Sequence, residues 1–235
     1  MPPWCPTIRR PPLPRESAWA QRITRHRPRL PAVVPSAALV MPLKSFGSGK
    51  GRLSRVLDSA ARTRLSRECA ERVVAAAAGL SIIVVTNDSN DVCEWAQARS
   101  IACITQSTTG LNGAVADGVG WARARGFAYA VVAHGDIPLA CDVRPFIDEG
   151  NVVIVSDAAN DGTNLMSLPT DVEFTFHYGP GSLRMHLAEA RRHGFAPRVA
   201  LSDEWSLDLD NPQDLSDKRV REVFPWLPTT PANPH

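Results

Sequence analysis

The feature that most constrains this chain is a series of short apolar runs, rich in β-branched residues and separated by stretches of helical spacing. Residues 39–41, 81–86, 129–133 and 152–155 are too short for buried helices and suit strands covered on both faces. Between them, residues 53–78 carry Leu53, Val56, Leu57, Leu65, Cys69 and Val73 at helical spacing, with Gly79 as a C-cap. Asn87, Asp88 and Ser89 cap a second helix to about residue 99, and a brief strand follows at 101–104. Residues 111–125 read as a third helix ended by Gly126, and 143–148 as a short one. This alternation predicts an α/β fold with a mainly parallel central sheet flanked by helices. Ligands of such sheets bind beyond the carboxyl ends of the strands. The loop after the first strand and Asp136, just past the 129–133 strand, are therefore expected to face one crevice.

Beyond residue 156 the pattern changes. Residues 164–168 and 173–178 read as strands of a hairpin-like excursion, 181–192 as a helix, and 205–210 as a last strand of alternating character. Asn211 and Pro212 open a closing helical turn. There is no internal repeat.

At 235 residues the chain suits one domain, expected over 33–218. Residues 1–32, rich in Pro and Arg and without hydrophobic period, read as a disordered extension, and 219–235 as a loose tail. A net charge of +2 is too small to argue for nucleic acid. Five scattered cysteines, none spaced Cys-x-x-Cys, indicate neither a disulfide framework nor a zinc site, and suit a reducing cytoplasm. No run is long enough to span a membrane.

Residues 44–52 join the first strand to the first helix through Gly47, Gly49 and Gly51 and carry Lys44, Lys50 and Arg52. Glycine lets such a backbone fold tightly, and its freed amides with the helix N-terminus beyond can hold phosphate. A nucleoside triphosphate is the expected occupant; a solvated basic loop is the alternative. A P-loop is excluded: its first glycine position is Lys44, and Gly51 after Lys50 lacks the hydroxyl for magnesium.

Asp136, directly after a strand, is well placed for Mg²⁺, or else caps the next helix. Asp208 and Asp210, two apart on a predicted strand, share a face and repel unless a cation lies between them. Together the three form a candidate site for one or two Mg²⁺. A second pair of loops, 161–164 and 177–182, offers Thr163, Gly179, Gly181 and Ser182 to an anion, with an ordinary Ser N-cap as the alternative for Ser182. Asn112, at the head of a predicted helix, reads a base edge or caps. His134, His177, His186 and His193 have no metal-ligand spacing, and no nucleophile–histidine arrangement stands out.

In order, the chain carries Pro-Leu-Lys with Gly-Lys-Gly-Arg-Leu, Gly-Leu-Asn, Gly-Asp-Ile-Pro, Asp-Gly-Thr-Asn, Tyr-Gly-Pro-Gly-Ser and Asp-Leu-Asp-Asn-Pro-Gln-Asp-Leu. Over residues 38–215 this set resembles the 2-phospho-L-lactate / phosphoenolpyruvate guanylyltransferase family of coenzyme F-420 biosynthesis. The resemblance implies a GT-A-type nucleotidyltransferase fold like that of the molybdenum-cofactor guanylyltransferases. It implies that Lys44, Lys50 and Arg52 hold the GTP phosphates, with Leu111, Asn112 and Gly135 by the nucleotide. Asp136, Asp208 and Asp210 would carry Mg²⁺, and Thr163, Gly179 and Ser182 the acceptor acid. A downstream deazaflavin transferase is the implied partner. The chain departs from its relatives at Gly49 and Gly51, where Ala and Ser are frequent, and at His134, where proline is. Small residues at Gly113 and Ala114 lean toward 3-phosphoglycerate as acceptor over phosphoenolpyruvate or 2-phospholactate.

Overall fold

A computed structural model describes residues 36–87 and 89–228. The readings of residues 1–32 and of 229–235 lie outside the described residues. The strands are β1 (Ala37–Leu43), β2 (Ser81–Thr86), β3 (Ala102–Thr105), β4 (Tyr129–Ala133), β5 (Val153–Val155), β6 (Leu165–Pro169) and β7 (Arg198–Val199). The helices are α1 (Ser59–Ala76), α2 (Asn90–Gln97), α3 (Leu111–Ala124), α4 (Ser182–Arg192) and α5 (Lys218–Val223).

The strands form one sheet in the order β3-β2-β1-β4-β6-β5-β7. β1 pairs in parallel with β2 and β4, β2 with β3, and β5 with β7. Only β6, among the described strands, runs against its neighbours, being antiparallel to both β4 and β5. The predicted mainly parallel sheet is present, and its order brings the carboxyl ends of β1, β2, β3 and β4 side by side.

Period-two alternation divides the core between the two faces. Leu39 and Met41 of β1 pack with Val73 of α1 and with Val92 and Trp95 of α2. Ala38 and Val40 pack on the other face with Val115 and Val119 of α3. α3 lies so close to β1 that a Cβ at Gly118 would come within 2.3 Å of Val40 Cγ1.

Several elements differ from the sequence reading. The helix expected from residue 53 is broken: Gly51–Arg55 is a 3₁₀ turn, and α1 starts only after Asp58, whose carboxylate accepts the Ala61 amide at 2.7 Å. A 3₁₀ turn at Arg144–Phe146 replaces the short helix expected at 143–148. Residues 173–178 bury Phe174 and Phe176 alternately, as a strand would, yet pair with no strand. Helix side chains take their amides instead: Thr175 N–H goes to Glu189 Oε1 at 3.0 Å and His177 N–H to His186 Nε2 at 2.9 Å. Residues 205–210 likewise join no ladder, beginning in a turn, and Leu209 N–H reaches the Asp136 carbonyl at 3.4 Å. The chain expected to be loose from residue 219 is packed as far as Leu227. Val220, Phe224 and Leu227 are buried against Leu53, Leu57, Leu65 and Cys69, a third apolar cluster that covers the start of α1. Among the described residues no helix is long and apolar enough to cross a membrane.

Candidate active site

A cavity of about 480 Å³ opens at the carboxyl ends of β1 to β4. Lys44, Lys50, Leu111, Gly135, Asp136 and Asp210 all line it, so six of the expected site residues meet at one place although they come from four separate stretches of the chain. Arg52 stands just outside, with Nη1 3.5 Å from Asp210 Oδ2. Asn112 does not line the cavity. Its Oδ1 accepts the Tyr178 amide at 2.6 Å, so it ties α3 to the 177–182 loop.

The 44–50 loop is shaped by specific contacts. Asp91, in the first turn of α2, accepts the Ser45 hydroxyl at 3.2 Å and the Phe46 amide at 3.1 Å. The Phe46 ring stands edge-on to Trp95, 5.5 Å between centroids. Lys50 takes a left-handed backbone conformation, φ 57°, a strained state for a residue with a Cβ and one that tends to persist at functional sites. Its side chain is only 5% exposed. Nζ donates to the Leu209 carbonyl at 2.9 Å and lies 3.6 Å from Asp136 Oδ2. Lys50 therefore holds the phosphate-type loop, the β4 end and the 205–210 segment together.

The three aspartates are neighbours but not a closed cage. Among the described residues no group of three or more His, Cys, Asp or Glu side chains is drawn together as a metal site. Asp136 faces Lys50, Asp210 faces Arg52, and Asp208 Oδ1 lies 3.5 Å from Asn164 Nδ2. Each carboxylate is thus turned toward its own cation or donor rather than toward the other two. Two observations fit a metal nonetheless. Asp136 Oδ1 is buried without a partner. Asp208 is pushed up to about 6, first by burial and then by the charges of Asp136 and Asp210. Burial also pushes Asp136 up, but Lys50, His134 and hydrogen bonds outweigh it and hold the carboxyl below its ordinary value.

The acceptor-type residues lie on the other side of Asp208, in a network that is already bonded. Thr163 and Ser182 are buried, with Ser182 Oγ donating to Thr163 Oγ1 at 3.3 Å and His186 Nδ1 3.0 Å from that same oxygen. Because His186 Nε2 accepts the His177 amide, Nδ1 carries the proton and donates to Thr163. Burial, then the nearby His177 and His134, lowers His186 to about 4, so it is neutral at pH 7. Gly179 is exposed at φ 126°. The N-terminus of α4 is held by Asp161, whose Oδ2 accepts the Gly181 amide at 2.8 Å. Thr163 and Ser182 are thus brought together as expected, but their hydroxyls point to each other rather than into the cavity. Asn164 links this network to Asp208 and, at 3.1 Å, to the Trp205 carbonyl.

A family model described as guanylyl transferase CofC like matches residues 37–220. The chain belongs to the CofC-like guanylyl transferase family. It is 34% identical over 189 residues to a phosphoenolpyruvate guanylyltransferase of Rubrobacter xylanophilus, covering 77% of this chain and 92% of that one. It is 25% identical over 185 residues to a 2-phospho-L-lactate guanylyltransferase of Methanosphaera stadtmanae, covering 76% and 81%. Among solved structures it resembles a putative nucleotide-diphospho-sugar transferase from Desulfovibrio desulfuricans, with a TM-score of 0.63 at 15% identity over 82% of this chain and 95% of that one. It also resembles CMP:2-keto-3-deoxy-manno-octonic acid synthetase complexed with CTP, with a TM-score of 0.54 at 15% identity over 81% and 99%. These likenesses give the nucleotidyltransferase fold. As a guanylyl transferase of this family the chain is an enzyme.

Sequence reasoning missed Asp91, Asn87 and Gln106. The last two line the cavity at the ends of β2 and β3. The rule that singled out Asp136, a polar residue directly after an apolar strand, would have found both.

Proposed function

We propose that this enzyme transfers GMP from GTP to phosphoenolpyruvate or 2-phospho-L-lactate and releases pyrophosphate. The observation that carries the proposal is the convergence of Lys44, Lys50, Asp136 and Asp210, from distant parts of the chain, on one cavity at the carboxyl ends of parallel strands. The acceptor comes from the curated relatives. A phosphate oxygen of the acid attacks the α-phosphorus of GTP, the bond to pyrophosphate breaks, and a diphosphate bridge links acid and guanosine. That oxygen is already an anion, so no general base is needed. What the protein supplies is orientation and charge neutralisation by Lys44, Lys50 and Arg52. Asp136, Asp208 and Asp210 would hold Mg²⁺, which when bound adds positive charge at the phosphates. The acceptor would lie toward Thr163, Gly179 and Ser182, beside Asp208.

The lean toward 3-phosphoglycerate finds no support. A Cβ at Gly113 would come 2.4 Å from the Thr108 carbonyl oxygen, so Gly113 is small for packing rather than for a substrate. Supply of the phospho-acid donor for coenzyme F-420, with a deazaflavin transferase taking up the product, is the setting proposed. Mass spectrometry of a mixture of enzyme, GTP, Mg²⁺ and either acid is expected to reveal the diphosphate-linked guanosine, and none with Asp208→Asn. Undiminished product from that folded variant would sink the metal assignment.

A further inference from the structure

We propose that Asn87 and Gln106 read the nucleotide base and select guanine over adenine. The inference rests on the guanylyl-transfer reading, since it assigns the far end of the same cavity.

That cavity is chemically two-ended. Lys50 and Asp136 mark its charged end, at the termini of β1 and β4. From β4 it crosses β1 and β2 to β3, three inter-strand spacings, or about 14 Å. Over β2 and β3 its lining carries no charge: Asn87, Gln106, Thr109 and Gly110 are neutral and polar, and Val85, Leu111 and Ala114 supply apolar wall. A site with cations at one end and neutral amides between apolar walls at the other matches triphosphate and base in turn.

The two residues directly follow strands β2 and β3. The Gln106 amide donates to the Thr86 carbonyl at 2.8 Å, extending the β2–β3 ladder by one bond and anchoring its backbone at the cavity rim. Asn87 Oδ1 accepts the Ser89 hydroxyl at 3.1 Å, which leaves its Nδ2 as the group offered to a ligand. A donor there discriminates. Guanine presents the O6 acceptor where adenine presents the N6 amino donor, so Nδ2 binds the first and confronts the second. The Gln106 carbonyl can accept from the N1–H and 2-amino group, which adenine lacks. Asn112, expected to read a base edge or to cap, does not line the cavity.

The test is titration calorimetry of the full chain with GTP, ITP and ATP in Mg²⁺, for the wild type, Asn87→Ala and Gln106→Leu. The wild type is expected to bind GTP at least about tenfold more tightly than ATP, the discrimination one base-edge contact supplies, with ITP between them. Each variant should lower the ratio of GTP to ATP affinity by about threefold or more, since each removes one of the two base-edge contacts. A wild type that does not prefer GTP, or variants that keep the full preference, would overturn the assignment. Asn87 is exposed and Gln106 half-buried, so the fold should survive, and Gln106→Asn provides a milder variant if Gln106→Leu does not fold. Transfer to the acids, measured on the same preparations, separates the two claims. Selective GTP binding without transfer to any acid refutes the acceptor reading alone, and transfer without base selection refutes this one alone.

Discussion

Replacing Lys50 by Met isolates the contact on which the site depends. Met is an unbranched apolar side chain one atom shorter that keeps a Cβ on the left-handed backbone, so the strain at φ 57° is unchanged, whereas glycine would relieve it and confuse the result. The lost attraction, at 3.6 Å from Asp136, is about 4–5 kcal/mol at an effective dielectric of about 20. Asp136 is one-third exposed, and solvent screening brings this down to about 2 kcal/mol. Losing the bond to the Leu209 carbonyl adds about 1 kcal/mol. Urea unfolding at pH 7.5 in a chelator should therefore show a loss of about 3 kcal/mol. Adding Asp136→Asn removes the stranded charge, and the double variant should recover about 2 kcal/mol of it. Coupling below about 0.5 kcal/mol would refute the pairing as a determinant of this site. In the same variant kcat/KM for GTP should fall by about 100-fold or more, the effect of removing a preorganised donor.

Asp208 yields a pH prediction. With its folded pKa raised from 3.8 to about 6, the metal-free folded protein holds a proton that the unfolded chain releases near pH 4. That contribution to stability is present below about pH 4 and is lost as pH rises through 6. Mg²⁺ needs the ionised form, so it should raise Tm more at pH 7.5 than at pH 5, and Asp208→Asn should abolish the difference; equal shifts at both pH values would contradict the assignment. At the other end of the chain, Phe224 is 3% exposed in the cluster over α1. Phe224→Ala should cost about 3 kcal/mol in urea unfolding, whereas an unchanged midpoint would mean that α5 does not stabilise the fold.

Much of the architecture was legible because burial on both faces leaves a local mark. The runs at 81–86 and 129–133 match β2 and β4 to the residue, since only a covered strand needs so continuous an apolar stretch. The alternation at 173–178 and 205–210 reported burial correctly but not pairing. Partners such as Glu189 and His186 are side chains from another element, and no local pattern records them. β7 was missed because Arg198 and Val199 are exposed edge residues with no apolar signature. In the cavity, Asp136 was readable as a carboxylate just past β4, whereas Asp210 follows no strand and was singled out by its spacing from Asp208. That Thr163 and Ser182 satisfy each other, and that Asn112 serves Tyr178, depends on contacts tens of residues apart.

The most direct test of the central claim is pyrophosphate release from GTP and Mg²⁺ with phosphoenolpyruvate, 2-phospho-L-lactate, its enantiomer or 3-phosphoglycerate, each with the deazaflavin acceptor and its transferase present to draw off product. Guanylyl transfer to a three-carbon phospho-acid predicts release that depends on phosphoenolpyruvate or 2-phospho-L-lactate and vanishes without metal. A folded protein that binds GTP and releases no pyrophosphate with any of the four would contradict it.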